Sequence, residues 1–181
     1  VTRSLAEVVY RKTQGNSLFT LSLMKAMQEE NMLFYSANAR RWLWNIDALR
    51  SRHIDNDVVS LLTRKMLNLD RNMQWLLRTA SCFGTEFDIA LLELLSSGTK
   101  TIDTIALANM AVDEGFLHRE LSSLDYRFVH DQIREAAYSI IPESEREKFH
   151  LSIGRQLMQQ MPPQEVEGNI FAILGQIFKG I

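Results

Sequence analysis

The sequence predicts a mainly α-helical fold with small β-hairpins. Glycine and proline are scarce, at 8 and 3 of 181 residues, so few positions disfavour a helix. Over most of the chain, apolar side chains recur at the three- and four-residue spacing of a helix face. Two places break this pattern, because short aromatic or apolar runs there flank a turn-like segment. With 46% hydrophobic residues and a net charge of −2, the composition is globular and creates no overall field for DNA or an anionic membrane.

Two helices are predicted near the start of the chain. A capping box formed by Ser4 and Glu7 opens the first helix, because each side chain can satisfy a free backbone N–H of the first turn. Gly15-Asn16 ends this helix, and Ser17 can cap the second one. The sequence therefore predicts a helical hairpin with its turn at these three residues.

The aromatic cluster of the chain predicts a β-hairpin. The runs 33–35 and 42–44 are aromatic and apolar, and the polar residues 36–40 separate them. Alternating large side chains around a short polar loop are typical of two paired strands. Packing across the hairpin is the simplest role for Trp42 and Trp44, and stacking on a ligand is the alternative.

Residues 70–130 predict the element order of a winged helix-turn-helix, which is three helices followed by a hairpin. The predicted elements are a helix capped by Asp70 and closed near Gly84, a helix around 87–95, a helix over 101–114 ended by Gly115, and strands at 116–120 and 126–129.

Three domains are expected, and the chain is expected to be an internal piece of a longer protein. Its first residue is not Met, and its last residues continue an amphipathic pattern. The expected domains are a helical segment with the aromatic hairpin (1–54), a winged helix (55–141) and the first helices of a helical-repeat, TPR-like array (142–181).

The sequence contains none of the motifs that would give this chain catalytic chemistry. It has no Gly-rich phosphate loop, no dinucleotide fingerprint and no zinc-protease motif. Its four histidines are scattered without metal-ligand spacing, and its one cysteine, Cys82, is expected to be a buried inert thiol. We therefore expect no catalytic residue, no metal site and no enzymatic activity in this chain alone. The low cysteine content favours a reducing cytoplasm, and no apolar run is long enough to cross a membrane.

The predicted winged helix is poorly equipped for DNA. Its reading helix over 101–114 contains Asp103, Asp113 and Glu114, and no Lys or Arg occurs between Lys100 and Arg119. A helix in the major groove needs basic or amide side chains for phosphates and base edges. A DNA-binding regulator is therefore the least favoured interpretation.

Two stretches resemble the signal-transduction ATPases with numerous domains, the STAND NTPases. Residues 7–19 resemble the helix, Gly-Asn-Pro turn and apolar helix of the family's lid. Residues 126–138, with the pair His130-Asp131, resemble the strand and helix of its winged-helix domain. Ile140-Ile141-Pro142 and the segment 150–157 are similar to the AAA-type ATPase region of large proteins that combine a serine/threonine-kinase-like domain with GAF and histidine-kinase domains.

The resemblance implies a role in holding a nucleotide. It places Gly15, Asn16 and Ser17 at the turn that borders adenine, although Ser17 replaces the family's proline. It places His130 at the β-phosphate of ADP. Asp131 stands at the start of the following helix, where its carboxylate can cap the helix and interact with the helix dipole. Taken alone, however, Gly15-Asn16 is an ordinary helix break, and His130 is a polar residue that can make one local hydrogen bond.

The function expected from this resemblance is regulatory. The chain would help to hold ATP or ADP, with Mg²⁺, in a closed state of a cytoplasmic parent ATPase linked to kinase or sensor domains. Its partners would be an upstream P-loop core and a downstream helical array, with self-association of the parent, and neither nucleic acid nor membrane. The alternative is a protein-interaction scaffold whose ATPase core is degenerate.

Overall fold

The computed structural model describes residues 2–13, 15, 17–47, 58–96, 103–120 and 125–181. The chain divides into two compact units, Val1–Leu62 and Thr63–Ile181. The boundary falls within a helix, and each unit has a core of its own.

The first unit begins with two helices that pack on each other. Helix α1 spans Thr2–Thr13 and helix α2 spans Ser17–Glu29. Gly15 lies between them with a φ of +78°, a conformation that glycine adopts without steric cost. The predicted helical hairpin is therefore present. Its buried apolar side chains include Val8, Val9, Phe19, Leu23 and Met27.

A two-stranded antiparallel hairpin follows α2, as predicted. Strand β1 spans Leu33–Ser36 and strand β2 spans Arg41–Trp44, and the register pairs Leu33 with Trp44 and Tyr35 with Trp42. Strand β1 lies against α2, and Leu33 is buried there.

The second unit is helical with one small sheet. Helix α3 spans Val58–Leu67 and contains the boundary between the units. The helices that follow are α4 (Arg71–Ser81), α5 (Ile89–Ser96) and α6 (Thr104–Asp113). The predicted cap of α4 is confirmed, because the Asp70 carboxylate accepts hydrogen bonds from the backbone N–H groups of Asn72 and Met73. Gly115 follows α6 with a φ of +78°, as expected of the residue just beyond a helix end.

The sheet contains a strand that the sequence did not predict. Strand β3 spans Glu86–Asp88, β4 spans Leu117–Arg119 and β5 spans Asp125–Phe128, in the order β3-β5-β4. The helix predicted around 87–95 is therefore wrong at its start, and it begins only at Ile89. Phe87 is extended because it pairs with Tyr126 and packs between Tyr126 and Phe128, with ring centroids 6.3 and 5.9 Å away.

The last helices belong to the same compact unit. Helix α7 spans Asp131–Ser139, a 3-10 turn spans Glu143–Glu145, α8 spans Arg146–Gln160, α9 spans Pro163–Val166 and α10 spans Ile170–Lys179. Helices α8 and α10 pack closely on each other, and α8 also packs on α5. The proposed domain boundary at residue 141 stays a prediction.

Helices α8 and α10 can pack closely because a glycine lies at two of the points where their backbones meet. A Cβ atom at Gly154 would lie 2.7 Å from Cγ1 of Ile177 and 3.2 Å from its backbone nitrogen. A Cβ atom at Gly180 would lie 2.7 Å from the Glu147 carbonyl oxygen and from two atoms of Leu151. Neither position has room for a larger side chain.

The predicted fold class is confirmed, because the described residues are mainly α-helical and form two small antiparallel sheets. In the part of the chain that the structure describes, no helix is both long and apolar enough to cross a membrane.

Candidate functional site

The histidine proposed to contact a phosphate lies where β5 leads into α7. His130 is the N-cap of α7, with an extended backbone (φ −152°, ψ 147°), and its Nδ1 accepts a hydrogen bond from the Gln132 N–H at 3.2 Å. An accepting Nδ1 carries no proton, so the proton of the neutral ring is on Nε2. The ring is exposed. Nε2–H is therefore a hydrogen-bond donor that faces solvent.

Asp131 does not cap α7 as predicted, because His130 does. A cap needs an extended backbone before the first turn, and Asp131 is already the first helical residue. Its carboxylate accepts a hydrogen bond from the Thr85 hydroxyl at 2.9 Å and so ties the start of α7 to the residue before β3. A negative charge in this first turn also interacts favourably with the helix dipole.

The residues proposed to border adenine lie in the first unit. Gly15 is exposed in its left-handed conformation, and Ser17 is the exposed first residue of α2. Asn16 lies outside the described residues. The structure thus places Gly15 before α2 and Ser17 at its start in the first unit, and His130 and Asp131 at one helix start in the second unit.

A buried polar chain that the sequence did not predict connects four elements of the second unit. The Tyr138 hydroxyl lies 3.0 Å from Nε2 of His150, and His150 Nδ1 lies 2.6 Å from Oε1 of Gln176. Gln176 Nε2 donates to the Cys82 carbonyl at 3.0 Å, and Lys179 Nζ donates to the same oxygen at 3.3 Å. This chain, called the polar relay below, joins α7, α8, α10 and the end of α4.

The Cys82 carbonyl, an obligatory acceptor at one end of the polar relay, fixes the positions of its hydrogens. The Cys82 carbonyl can only accept, so the amide nitrogen of Gln176 faces it and the amide oxygen faces His150. His150 therefore carries its proton on Nδ1, and its bare Nε2 accepts from the Tyr138 hydroxyl. Every hydrogen bond of the polar relay has one donor and one acceptor while His150 is neutral.

His150 faces the interior of the second unit, although Arg155 on the same helix is exposed. Only 2% of His150 is exposed. One signal in the sequence could have indicated this, since residue 150 continues the buried face of α8 that includes Ile153 and Leu157.

Cys82 is buried at the end of α4, as predicted. Burial raises the pKa of its thiol to about 12, although Lys179 and Arg78 oppose this change. The thiol is therefore protonated at neutral pH and is a poor nucleophile. Its backbone carbonyl, rather than its sulfur, is the group that the polar relay uses.

The stability of the chain is expected to fall in mild acid because of His150. Burial lowers the pKa of His150, the Gln176 hydrogen bond opposes this effect, and the Lys179 charge adds to it. Below about pH 6.5, the ordinary pKa of histidine, the unfolded chain therefore binds a proton at His150 that the folded chain does not bind. The free energy of unfolding is highest above about pH 6.5, and the part that neutral His150 contributes is lost as the pH falls through the lowered pKa.

Urea unfolding at pH 7.5 and pH 5.0 measures this effect. The matched control is His118→Asn, because His118 is exposed on β4. The control variant should keep the pH dependence of the parent chain, and His150→Asn should reduce it. Equal pH dependence in both variants would contradict the assignment to His150.

The surface of α6 agrees with the expectation that it does not read DNA, which stays a prediction. The helix contains no Lys or Arg, and its exposed side chains include Ile105, Asn109, Met110 and Asp113. Asn109, the one amide in the helix, accepts a hydrogen bond from the Tyr126 hydroxyl at 3.0 Å. Within the described ranges, no group of three or more His, Cys, Asp or Glu side chains could hold a metal ion.

The chain is similar to one segment of a large signalling protein. It is 26% identical over 230 aligned residues to the hybrid signal transduction histidine kinase G of Dictyostelium discoideum. The match covers 99% of this chain and 7% of that protein, so the chain spans a small part of the relative's length. No family model matches the chain, and no solved structure matches it. This similarity links the chain to multidomain signal transduction.

Proposed function

We propose that the chain is the lid and winged-helix segment of a multidomain signal-transduction ATPase. In this role it helps to hold ADP or ATP, with Mg²⁺, in a closed state that is coupled to linked kinase or sensor domains. Similarity to a segment of the Dictyostelium histidine kinase supports a place in signalling. The winged-helix interpretation is supported by the order of elements over residues 71–128, which is a helix, a strand, two helices and two strands. The sheet order β3-β5-β4 also supports it.

The geometry of His130 is the observation that carries the proposal. Capping α7 uses Nδ1 as an acceptor, and the cap therefore leaves Nε2–H as an exposed donor at the start of a nine-residue helix. A phosphate oxygen is a natural acceptor for this donor, and backbone N–H groups of the first helical turn add positive potential. Asp131 is assigned a structural role, because its carboxylate is bonded to Thr85 and would repel a phosphate.

The turn between α1 and α2 supports the lid part of the proposal. Gly15 has the positive φ that a tight turn requires, and α2 begins at Ser17, two residues further along the chain. Serine in place of proline leaves a backbone N–H at residue 17. This N–H is an additional donor for a ligand at the turn.

The proposed switch is an equilibrium between two states. A nucleotide can stabilise the closed state only if it binds that state more tightly than the open one. An upstream signal must likewise favour the open state, and the two effects are then reciprocal. His130 contributes to the closed state alone in this scheme, so its loss shifts the equilibrium toward the open state.

The experiment compares two substitutions of His130 in the full-length protein. His130→Asn keeps a side chain that caps α7 well, and His130→Ala removes both the cap and the donor. If the ring contacts phosphate, both variants should lose copurified ADP and should raise basal kinase output or oligomerisation. Nucleotide content by chromatography and phosphotransfer without signal are the measurements.

The comparison separates ligand binding from capping. If His130 serves only as a cap, His130→Asn should retain nucleotide and basal output while His130→Ala loses stability by about 1 kcal/mol. That outcome would reject the nucleotide role. The parental protein with its His118 replaced by Asn serves as the control for an exposed histidine elsewhere on the unit.

The alternative function is an interaction scaffold without a nucleotide, and one surface favours it. Phe171 and Phe178 of α10 are 87% and 72% exposed and lie two turns apart on the same helix face, with Leu174 between them. Exposed aromatic side chains in such a stripe are typical of contact surfaces. An upstream region without a Walker A lysine, together with purified protein free of nucleotide, would support the scaffold and reject the ATPase segment.

A further inference from the structure

The hairpin of the first unit has an unusual outer edge. Asn45 N–H donates to the Met32 carbonyl at 2.9 Å, directly before the register that pairs Leu33 with Trp44. Hydrogen-bonded and non-hydrogen-bonded pairs alternate along an antiparallel ladder. The backbone groups of Trp42 and Trp44 therefore point away from β1, toward the outer edge of β2.

This outer edge is open within the described residues of the first unit. Strand β1 packs on α2 through the buried Leu33, whereas β2 makes its main contacts with β1. No described residue of the unit accepts from or donates to the backbone of Trp42 or Trp44 on that side. Unpaired backbone groups at a strand edge are a template for another strand.

The side chains along this edge are aromatic and cationic. Trp42 is 48% exposed and Tyr35 is 55% exposed, and their rings form an edge-to-face pair with centroids 5.8 Å apart. Arg40 and Arg41 are both exposed at the tip of the hairpin. No Asp or Glu occurs between Glu30 and Asp47, so the hairpin is a local positive patch on a chain of net charge −2.

We infer that the outer edge of β2 binds an extended acidic peptide segment as a third strand. The outward backbone groups of Trp42 and Trp44 supply the ladder hydrogen bonds. Successive side chains of the bound strand point to opposite faces of the sheet. Its apolar residues therefore lie beside Trp42 and Trp44 on one face, and its carboxylates lie beside Arg41 on the other. Charge complementarity selects an acidic segment over a basic one, and Tyr, Trp and Arg are the residue types that dominate binding energy at interfaces.

The test uses two labelled peptides of eight residues on the whole chain. One alternates valine with glutamate, and the other alternates valine with lysine, so they differ only in charge. Fluorescence anisotropy at low salt should give about tenfold tighter binding of the glutamate peptide. Arg41→Glu should reverse this preference, since Arg41 is the charge proposed to face the acidic side chains.

A pair of substitutions at Trp42 separates backbone pairing from side-chain contact. Trp42→Pro removes the outward N–H without removing a β1–β2 hydrogen bond, because edge strands tolerate proline at such positions. Trp42→Thr removes the ring but keeps the N–H and a strand-forming residue. The proline variant should lose binding of the glutamate peptide, and the threonine variant should retain part of it, with thermal unfolding of both variants as the check on folding.

Amide hydrogen exchange provides a readout at the strand itself. In the free chain the Leu43 N–H should be protected and the Trp42 and Trp44 N–H groups should exchange fast, and the glutamate peptide should slow the latter two. Equal affinity for the two peptides, or binding without protection at Trp42 and Trp44, would overturn the inference. Sedimentation of the chain as a dimer, with protection of Trp42 in the absence of peptide, would show that a second copy occupies the edge and would overturn the assigned partner.

Discussion

Replacing Gly154 by alanine is expected to destabilise the second unit by about 2 kcal/mol, the cost of forcing an extra methyl group into a packed contact. The new Cβ would lie 2.7 Å from Cγ1 of Ile177 and 3.2 Å from the Ile177 backbone nitrogen. The side chain of Ile177 has few alternative rotamers, because it is β-branched in a helix. Helices α8 and α10 must therefore move apart, and urea unfolding measures the loss.

Gly175→Ala is the matched control for this prediction. Gly175 lies in α10, the helix that contacts Gly154 through Ile177, and a Cβ at Gly175 would meet no atom within 4 Å. Alanine is intrinsically better than glycine inside a helix, so this variant should be neutral or gain up to about 1 kcal/mol. Equal effects of the two substitutions would show that helix propensity, rather than the close contact of α8 and α10, determines the result.

The second large effect is expected at Gln176. Replacing Gln176 by leucine removes the acceptor of the His150 Nδ1–H and one of the two donors to the Cys82 carbonyl. His150 is 2% exposed, so its N–H would be left without water or another partner. A buried donor that loses its acceptor costs about 1–3 kcal/mol, and we expect Gln176→Leu to lie near the upper end of that range.

A double-mutant cycle tests whether this loss comes from the polar relay. His150→Leu combined with Gln176→Leu removes both partners, so the double variant should lose less stability than the sum of the single variants. Tyr138→Phe is the milder comparison, because Tyr138 is only partly buried. Additive effects of His150→Leu and Gln176→Leu would mean that the two side chains act independently, against the connected chain of hydrogen bonds.

Local signals in the sequence predicted some of the elements that depend on neighbouring residues. The capping box of Ser4 and Glu7 is wrong, because α1 already begins at Thr2. The cap at Asp70 and the hairpin of residues 33–44 depend on contacts within a few residues, and both were predicted. Strand β3 was missed because an apolar run of this length is compatible with either state. Phe87 becomes extended only through pairing with Tyr126, almost forty residues later, and no local pattern reports that pairing.

Parts of the candidate site were likewise predictable from local sequence, and other parts were not. The position of His130 at a strand-to-helix junction followed from the sequence, but the cap was assigned to Asp131, since carboxylates are the commoner caps. The polar relay could not be predicted as a unit, because it joins Cys82 to Gln176 across 94 positions. Only the periodicity of α8 indicated that His150 faces inward.

The bonds to the Cys82 carbonyl also constrain the order in which the chain can fold during synthesis. Helix α4 ends near residue 82, yet that carbonyl receives its donors from Gln176 and Lys179. A nascent chain on the ribosome exposes α4 long before these residues are made, and domains complete their folding only when their last contacts become available. The second unit can therefore form its final packing only after almost all of its residues have emerged, which makes the closing step late and dependent on contacts that are distant in sequence.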